Sequence, residues 1–186
     1  MEELPRTYSS PWDEIDNHKV AERIKGSKKP KSAVDGDLLP AVVNQLADII
    51  AIPATHIFNG AIRKKEWPSP WLQETQTVIP KNSSPESFDQ LRNLSCTNFL
   101  SKVFEGFILD RMRAEIRIKG NQYGGMKGSG TAHFLTEAWH NIQSALDDNR
   151  SAVSLMSVDF SKAFNRLNHN ECVRACARKG ASSETI

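Results

Sequence analysis

Apolar positions recur at steps of three and four in most of the chain, the spacing of one helical face. Leu38, Leu39, Val42, Val43, Leu46, Ile49 and Ile50 form one such series, with Asp37 placed to cap it and Pro53 to interrupt it. Past that proline a second helix turns Ile57, Phe58 and Ile62 inward and ends on Arg63, Lys64 and Lys65, where cations suit the carbonyl end of a helix. The broadest stripe is Phe99, Leu100, Val103, Phe104, Phe107, Ile108, Met112 and Ile116, with Lys102, Glu105, Asp110, Arg111 and Arg113 mostly off it. A helix over 131–146 should bury Phe134, Leu135, Ala138, Trp139, Ile142 and Leu146. Two further helices complete the set. One starts at Ser10 and Pro11 and runs to about residue 25 before Gly26. The other covers 168–179, with Cys172, Val173, Ala175 and Cys176 on one face and Gly180 as its stop.

Elsewhere the pattern shortens. Residues 75–81 read as a strand, 82–86 as a turn and 88–95 as the returning strand of a hairpin. Val153, Leu155, Met156 and Val158 make an apolar run too brief for an independent helix, which predicts a buried strand ending on Asp159. Trp67-Pro68-Ser69-Pro70-Trp71 breaks helical order through its prolines. The expected fold is α/β (α+β), helix-rich, with a small antiparallel sheet. Its expected divisions are an amino-terminal helix and basic loop over 1–36, a middle part over 37–150, and the start of a second sheet over 151–186.

Composition narrows the function less than the pattern does. The 186 residues are 39% hydrophobic and 25% charged, an ordinary globular balance with length enough to bury a core. A net charge of +2 does not announce a nucleic-acid binder, so that case rests on where the cations lie. Cys96, Cys172 and Cys176 are too few and scattered for a disulfide framework, and the amino end lacks a signal-peptide layout. An intracellular, reducing location is therefore expected. No apolar run approaches the ~20 residues of a membrane span, so no membrane partner is expected.

Four places carry candidate chemistry. Lys81 and Arg92 sit on one predicted hairpin, a point charge and a planar fork suited to phosphate oxygens, although two exposed cations would look the same. Asp159, where the chain leaves its strand, is placed to bind a hard cation or to cap the next turn. The glycine-rich stretch from Gln122 through Gly124, Gly125, Lys127, Gly128 and Gly130 precedes a helix. Its amides could grip phosphate, but it lacks the Gly-Lys-Ser/Thr ending of a P-loop. Cys172 and Cys176 with His169 invite zinc, yet a fourth ligand and the usual spacing are absent, and small residues on a helix face account for them.

Taken in order over roughly residues 28–182, these segments resemble the fingers and first palm motif of reverse transcriptases, especially those of non-LTR retrotransposons. The basic stretch 28–31 with Gly36 and Asp37 is similar to the motif that opens the fingers. Ile79-Pro80-Lys81 and Leu91-Arg92-Asn93-Leu94-Ser95 resemble the family's Ile-Pro-Lys and Tyr-Arg-Pro-Ile-Ser, with Asn93 in place of Pro. Ser101-Lys102-Val103-Phe104-Glu105 matches its Ser-Lys-Val-Phe-Glu segment, and the glycine stretch resembles one beside template and primer, with Gly130 replacing Ser. Val158-Asp159-Phe160-Ser161-Lys162-Ala163-Phe164 resembles the first catalytic motif.

What the resemblance implies is specific. Asp159 and the Phe160 carbonyl would bind Mg²⁺ (or Mn²⁺), Lys81 and Arg92 the triphosphate of the incoming deoxynucleotide, and Phe164 its sugar. Gln122, Gly124, Gly125 and Lys127 would lie near RNA template and DNA primer. Phe164 stands where RNA-copying viral polymerases carry a second Asp, which favours DNA synthesis. The fold implied is fingers with an incomplete palm. The family's later Asp-Asp pair does not follow residue 159; Asp147-Asp148 precedes it and reads as a solvated turn. The chain is therefore expected to be an RNA-directed DNA polymerase fragment, inactive without the remaining palm and thumb. The alternative is a retroelement remnant that at most binds nucleic acid.

Overall fold

The computed structural model describes residues 12–27, 37–116, 118, 120–126, 128–148, 152–160, 163 and 166–186. The opening loop 28–36, the helix start at Ser10 and Pro11, Lys127 and Phe164 lie outside them. The chain divides into two units, one essentially Ser9–Arg113 and the other essentially Ala114–Glu184.

In the first unit α1 (Asn17–Gly26), α2 (Pro40–Gln45), α3 (Ala47–Lys64) and α4 (Phe99–Glu115, whose last turn passes into the second unit) surround one core. α1 begins at Asn17, later than the sequence predicts, because Asp16 caps it by accepting from the His18 N–H. Its Val20 and Ile24 are fully buried. The face of α3 that enters the core is Ala47, Ala51, Ala54, Phe58 and Ala61, at steps of four, three, four and three. Four alanines let a neighbouring backbone come close, and Phe58 fills the gap that remains. Around Phe58 gather Phe104, stacked at 4.9 Å, Trp71 edge-on at 5.8 Å, and Phe107 at 6.3 Å, while Trp67 meets Phe104 at 5.0 Å. The proline-bounded tryptophans thus serve as a lid on the core, carried by a 3-10 turn at Ser69–Leu72.

Three expectations for this region fail. Asp37 does not cap α2, which starts at Pro40 with Leu39 at its cap and no side-chain bond there. Pro53 does not interrupt a helix but lies inside α3 on an exposed position, where its missing N–H costs the helix one backbone bond. The break falls instead at Leu46, although the Leu46 N–H still donates to Val42 O at 3.0 Å and the Leu46 carbonyl accepts from Ile50 N–H at 2.9 Å. Leu38, Leu39, Val42, Leu46, Ile49 and Ile57 are exposed; the close approach that alanine permits outcompetes the larger aliphatics for the buried face.

Polar clamps fix the packing. The Asn59 amide accepts from Ile15 N–H at 2.9 Å and donates to Ile15 O at 3.0 Å. Asn44 donates to Ile24 O and Lys25 O in the last turn of α1. Arg23 pairs with Asp110 and lies 4.2 Å over the Phe107 ring.

β1 (Thr75–Pro80) and β2 (Leu91–Cys96) form one antiparallel pair, with Thr75 opposite Cys96 and Ile79 opposite Arg92. The return strand begins later than predicted because residues 88–90 turn as a 3-10 helix.

In the second unit α5 (Thr131–Asp147) buries no residue, contrary to its apolar stripe, and Trp139 is 62% exposed. The run 152–160 is not a strand: nothing pairs with it among the described residues, and Leu155 and Met156 are 76% and 84% exposed. A strand exists only through its ladder, and β-propensity without a partner leaves an apolar run in solvent. α6 (His169–Arg178) follows the sequence reading closely, capped by Asn168, which accepts from the N–H groups of Asn170 and Glu171. Past it, Ser182 is buried and its N–H and hydroxyl donate to the Glu115 carboxylate at 2.9–3.0 Å. Among the described residues no helix is long and apolar enough to cross a membrane.

Candidate nucleotide and nucleic-acid site

The hairpin determines where the two cations stand. Ile79 faces Arg92 across the ladder, and the next step of the same register joins Lys81 N–H to Gln90 O at 2.8 Å. Lys81 and Arg92 therefore occupy the same end of one hairpin, on opposite strands. The Lys81 ammonium donates to Asp89 O at 2.6 Å, which holds it at the tip and leaves two of its three N–H groups for a ligand. Arg92 is exposed, and among the described residues its guanidinium has no hydrogen bond or ion pair. The turn is tied by Gln90, whose side-chain oxygen accepts from Glu86 N–H at 2.8 Å. Phe88 stands 91% exposed on it.

At the other end of the hairpin Glu74 is fully exposed, and hydrogen bonds from Gln76 and Ser95 hold its carboxyl below its ordinary value. Its anion is thus the stable form at the foot of the sheet, away from the end that carries the cations.

Asp159 belongs to the second unit. It is exposed, and one oxygen accepts from the Phe160 N–H at 2.8 Å. The other oxygen is without a partner among the described residues. A carboxylate and the neighbouring carbonyl are hard oxygen donors of the kind Mg²⁺ selects. In number they fall short, since among the described residues no three His, Cys, Asp or Glu side chains gather to hold a metal ion. Cys172 and Cys176 with His169 are included in that statement. The Cys176 thiol is pushed above its ordinary value by burial first, and then by Cys172 beside it.

The glycine loop is folded on itself. Gln122 donates from its side chain to Gly124 O at 2.8 Å and from its backbone to Gly120 O at 3.0 Å. Gly125, at φ 75°, takes the left-handed turn that a side chain would resist. Gln122 thus braces the loop, and Tyr123 next to it meets Phe134 of α5 edge to face at 5.8 Å. The same unit contains a cavity of about 300 Å³ between this loop, α5 and the start of the 152–160 run. The sequence reading did not find it: its polar members, Asn121, Glu137 and Asn141, belong to no motif and come together only by folding.

Comparison with known proteins bears on the whole arrangement. The family described as reverse transcriptase (RNA-dependent DNA polymerase) matches residues 79–184, a stretch that begins beside Lys81 and takes in Arg92, the glycine loop and Asp159. The chain is also 24% identical, over 164 residues, to the retrovirus-related Pol polyprotein from type-1 retrotransposable element R2 of Popillia japonica. That similarity covers 87% of this chain and 22% of the relative, so the chain spans about a fifth of the relative's length. No solved structure matches it. With more than half of its residues inside the match, the chain belongs to the reverse transcriptase family.

Proposed function

We propose that this chain is a piece of an RNA-directed DNA polymerase that extends a DNA primer along an RNA template, using deoxynucleoside triphosphates. The observation that carries the reading is the hairpin register, which brings Lys81 and Arg92 to one end of one exposed sheet within a chain of this family. A lysine and an arginine so placed bind phosphate oxygens in complementary ways, one as a compact charge and one as a planar fork. Primer extension joins the 3′-oxygen to the α-phosphorus, with its hydroxyl proton passing to water, and breaks the bond to the bridging oxygen, so that pyrophosphate leaves. Asp159 and the Phe160 carbonyl would hold divalent metal, with further carboxylates needed to complete its coordination, and the metal would supply positive charge to offset the charge that develops on the reacting oxygens.

In this reading Lys81 and Arg92 neutralise the triphosphate, Phe164 packs under the sugar and excludes a 2′-hydroxyl, and the loop of Gln122, Gly124, Gly125 and Lys127 runs beside template and primer. The divisions 1–36, 37–150 and 151–186 and an intracellular site of action belong to the same proposal. A second reading is a retroelement remnant that binds nucleic acid without catalysis.

Primer extension on a primed RNA, with salt-dependent binding measured in parallel, separates the two. Extension abolished by Asp159→Asn rules out the remnant. Absence of extension with salt-sensitive binding supports the remnant for the chain alone, and absence of both would contradict each reading.

A further inference from the structure

We propose that the cavity of the second unit is a pocket for an unpaired guanine base. It has the smallest volume usual for a small-molecule site, about 300 Å³. Phe134, Leu155 and the Tyr123 ring supply apolar walls. The two rings stand at 60° to one another, a corner in which a flat heterocycle can stack on one ring and present its edge to the other.

Polar groups border the same space. Glu137 and Asn141 lie four residues apart on α5 and so share one side of it, and Asn121 joins them from the loop. Among the described residues none of these three side chains makes a hydrogen bond or an ion pair. An aliphatic side chain filling the cavity would strip water from these groups and return nothing. A nucleobase offers both a π-face and hydrogen-bonding edges. Of the common bases, only guanine presents an imino N–H beside an amino group on one edge, a fork that a carboxylate such as Glu137 accepts in two parallel bonds. Its carbonyl remains for an asparagine N–H.

The ligand class rests on the proposal that the Gln122 loop lies beside nucleic acid; the pocket itself rests on its own walls. RNA, DNA and free nucleotide carry the same edge, so the test includes all three. Fluorescence anisotropy is measured with short labelled single strands, RNA and DNA, containing one guanine, or inosine or adenine in its place, with GMP and AMP as competitors. Inosine lacks only the 2-amino group.

The expected result is binding about tenfold tighter for guanine than for inosine or adenine, a preference abolished by Glu137→Gln with guanine-free strands unaffected. Tyr123→Ala should weaken the guanine strand and Tyr123→Phe should not, with circular dichroism confirming that each variant is folded. RNA bound more tightly than DNA would assign the base to a template, the reverse to a primer. Equal affinity for all strands, unchanged in Glu137→Gln, overturns the pocket and leaves the polymerase reading standing. Binding of GMP but of no oligonucleotide supports the pocket and counts against the polymerase reading. Self-association lost in Phe134→Ser, with no nucleotide bound, overturns the proposal in favour of a protein side chain in the cavity.

Discussion

The first N–H groups of α4 have no partner within the helix, and two side chains take them. Phe99 donates to Asp37 at 2.9 Å, while Leu100 and Ser101 donate to the Asn98 amide oxygen at 2.9 and 3.2 Å. Replacing Asn98 by Ala should lower stability by about 1 kcal/mol, read as a lower urea midpoint with unchanged slope. Asp37 shows what the sequence can and cannot convey at this scale. Its bond to the adjacent Leu38 N–H is local but caps no helix, since α2 starts at Pro40 with no side-chain bond at its cap. The other oxygen reaches a helix 62 residues away, and no local pattern encodes that.

Cys176 gives a second test at the residue scale. Because burial and Cys172 raise its pKa above the ordinary 9.0, the thiol keeps its proton in the folded chain at a pH where the unfolded chain has lost it. Its contribution to stability is therefore complete below the unfolded pKa and lost as pH rises through the folded one. Alkylation of the folded Cys172→Ser variant should still titrate above a denatured control, since burial is the larger cause. Coincident midpoints would mean that Cys176 is open to water.

Among the elements, α3 departs most from its sequence reading. The sequence reading turned Ile49, Ile50, Ile57, Phe58 and Ile62 inward; the buried seam is Phe58 with four alanines. Periodicity identifies a helix but not which of two apolar faces turns inward, and close backbone approach is a property of the partner, not of the stripe. Phe58→Ala should cost about 3–5 kcal/mol, since Phe104, Phe107 and Trp71 cannot all move into the space. Ile49→Ala, on the exposed face at 68% exposure, should change stability by less than about 0.5 kcal/mol. Equal losses in chemical denaturation would place the core on the wrong face. The hairpin and α6 were legible because turn residues and caps act locally. The run 152–160 was not, because a strand depends on a partner that its own residues do not specify.

At the scale of the whole molecule, the family was readable from motif order alone. The short segments around Lys81, Arg92, Ser101, Gln122 and Asp159 are weak singly and strong in sequence, and the match over 79–184 spans them all. The guanine cavity was not readable, because Asn121, Glu137, Asn141 and Leu155 meet only through tertiary structure. The central claim is that the cations of the hairpin and the carboxylate of Asp159 serve one incoming nucleotide. A double-mutant cycle tests it most directly: Mg²⁺-dependent binding of a deoxynucleoside triphosphate, measured for the wild type, Arg92→Ala, Asp159→Asn and the double variant. A shared nucleotide predicts a coupling energy above about 0.5 kcal/mol between the two positions. Losses that simply add, or binding indifferent to both substitutions, would contradict it.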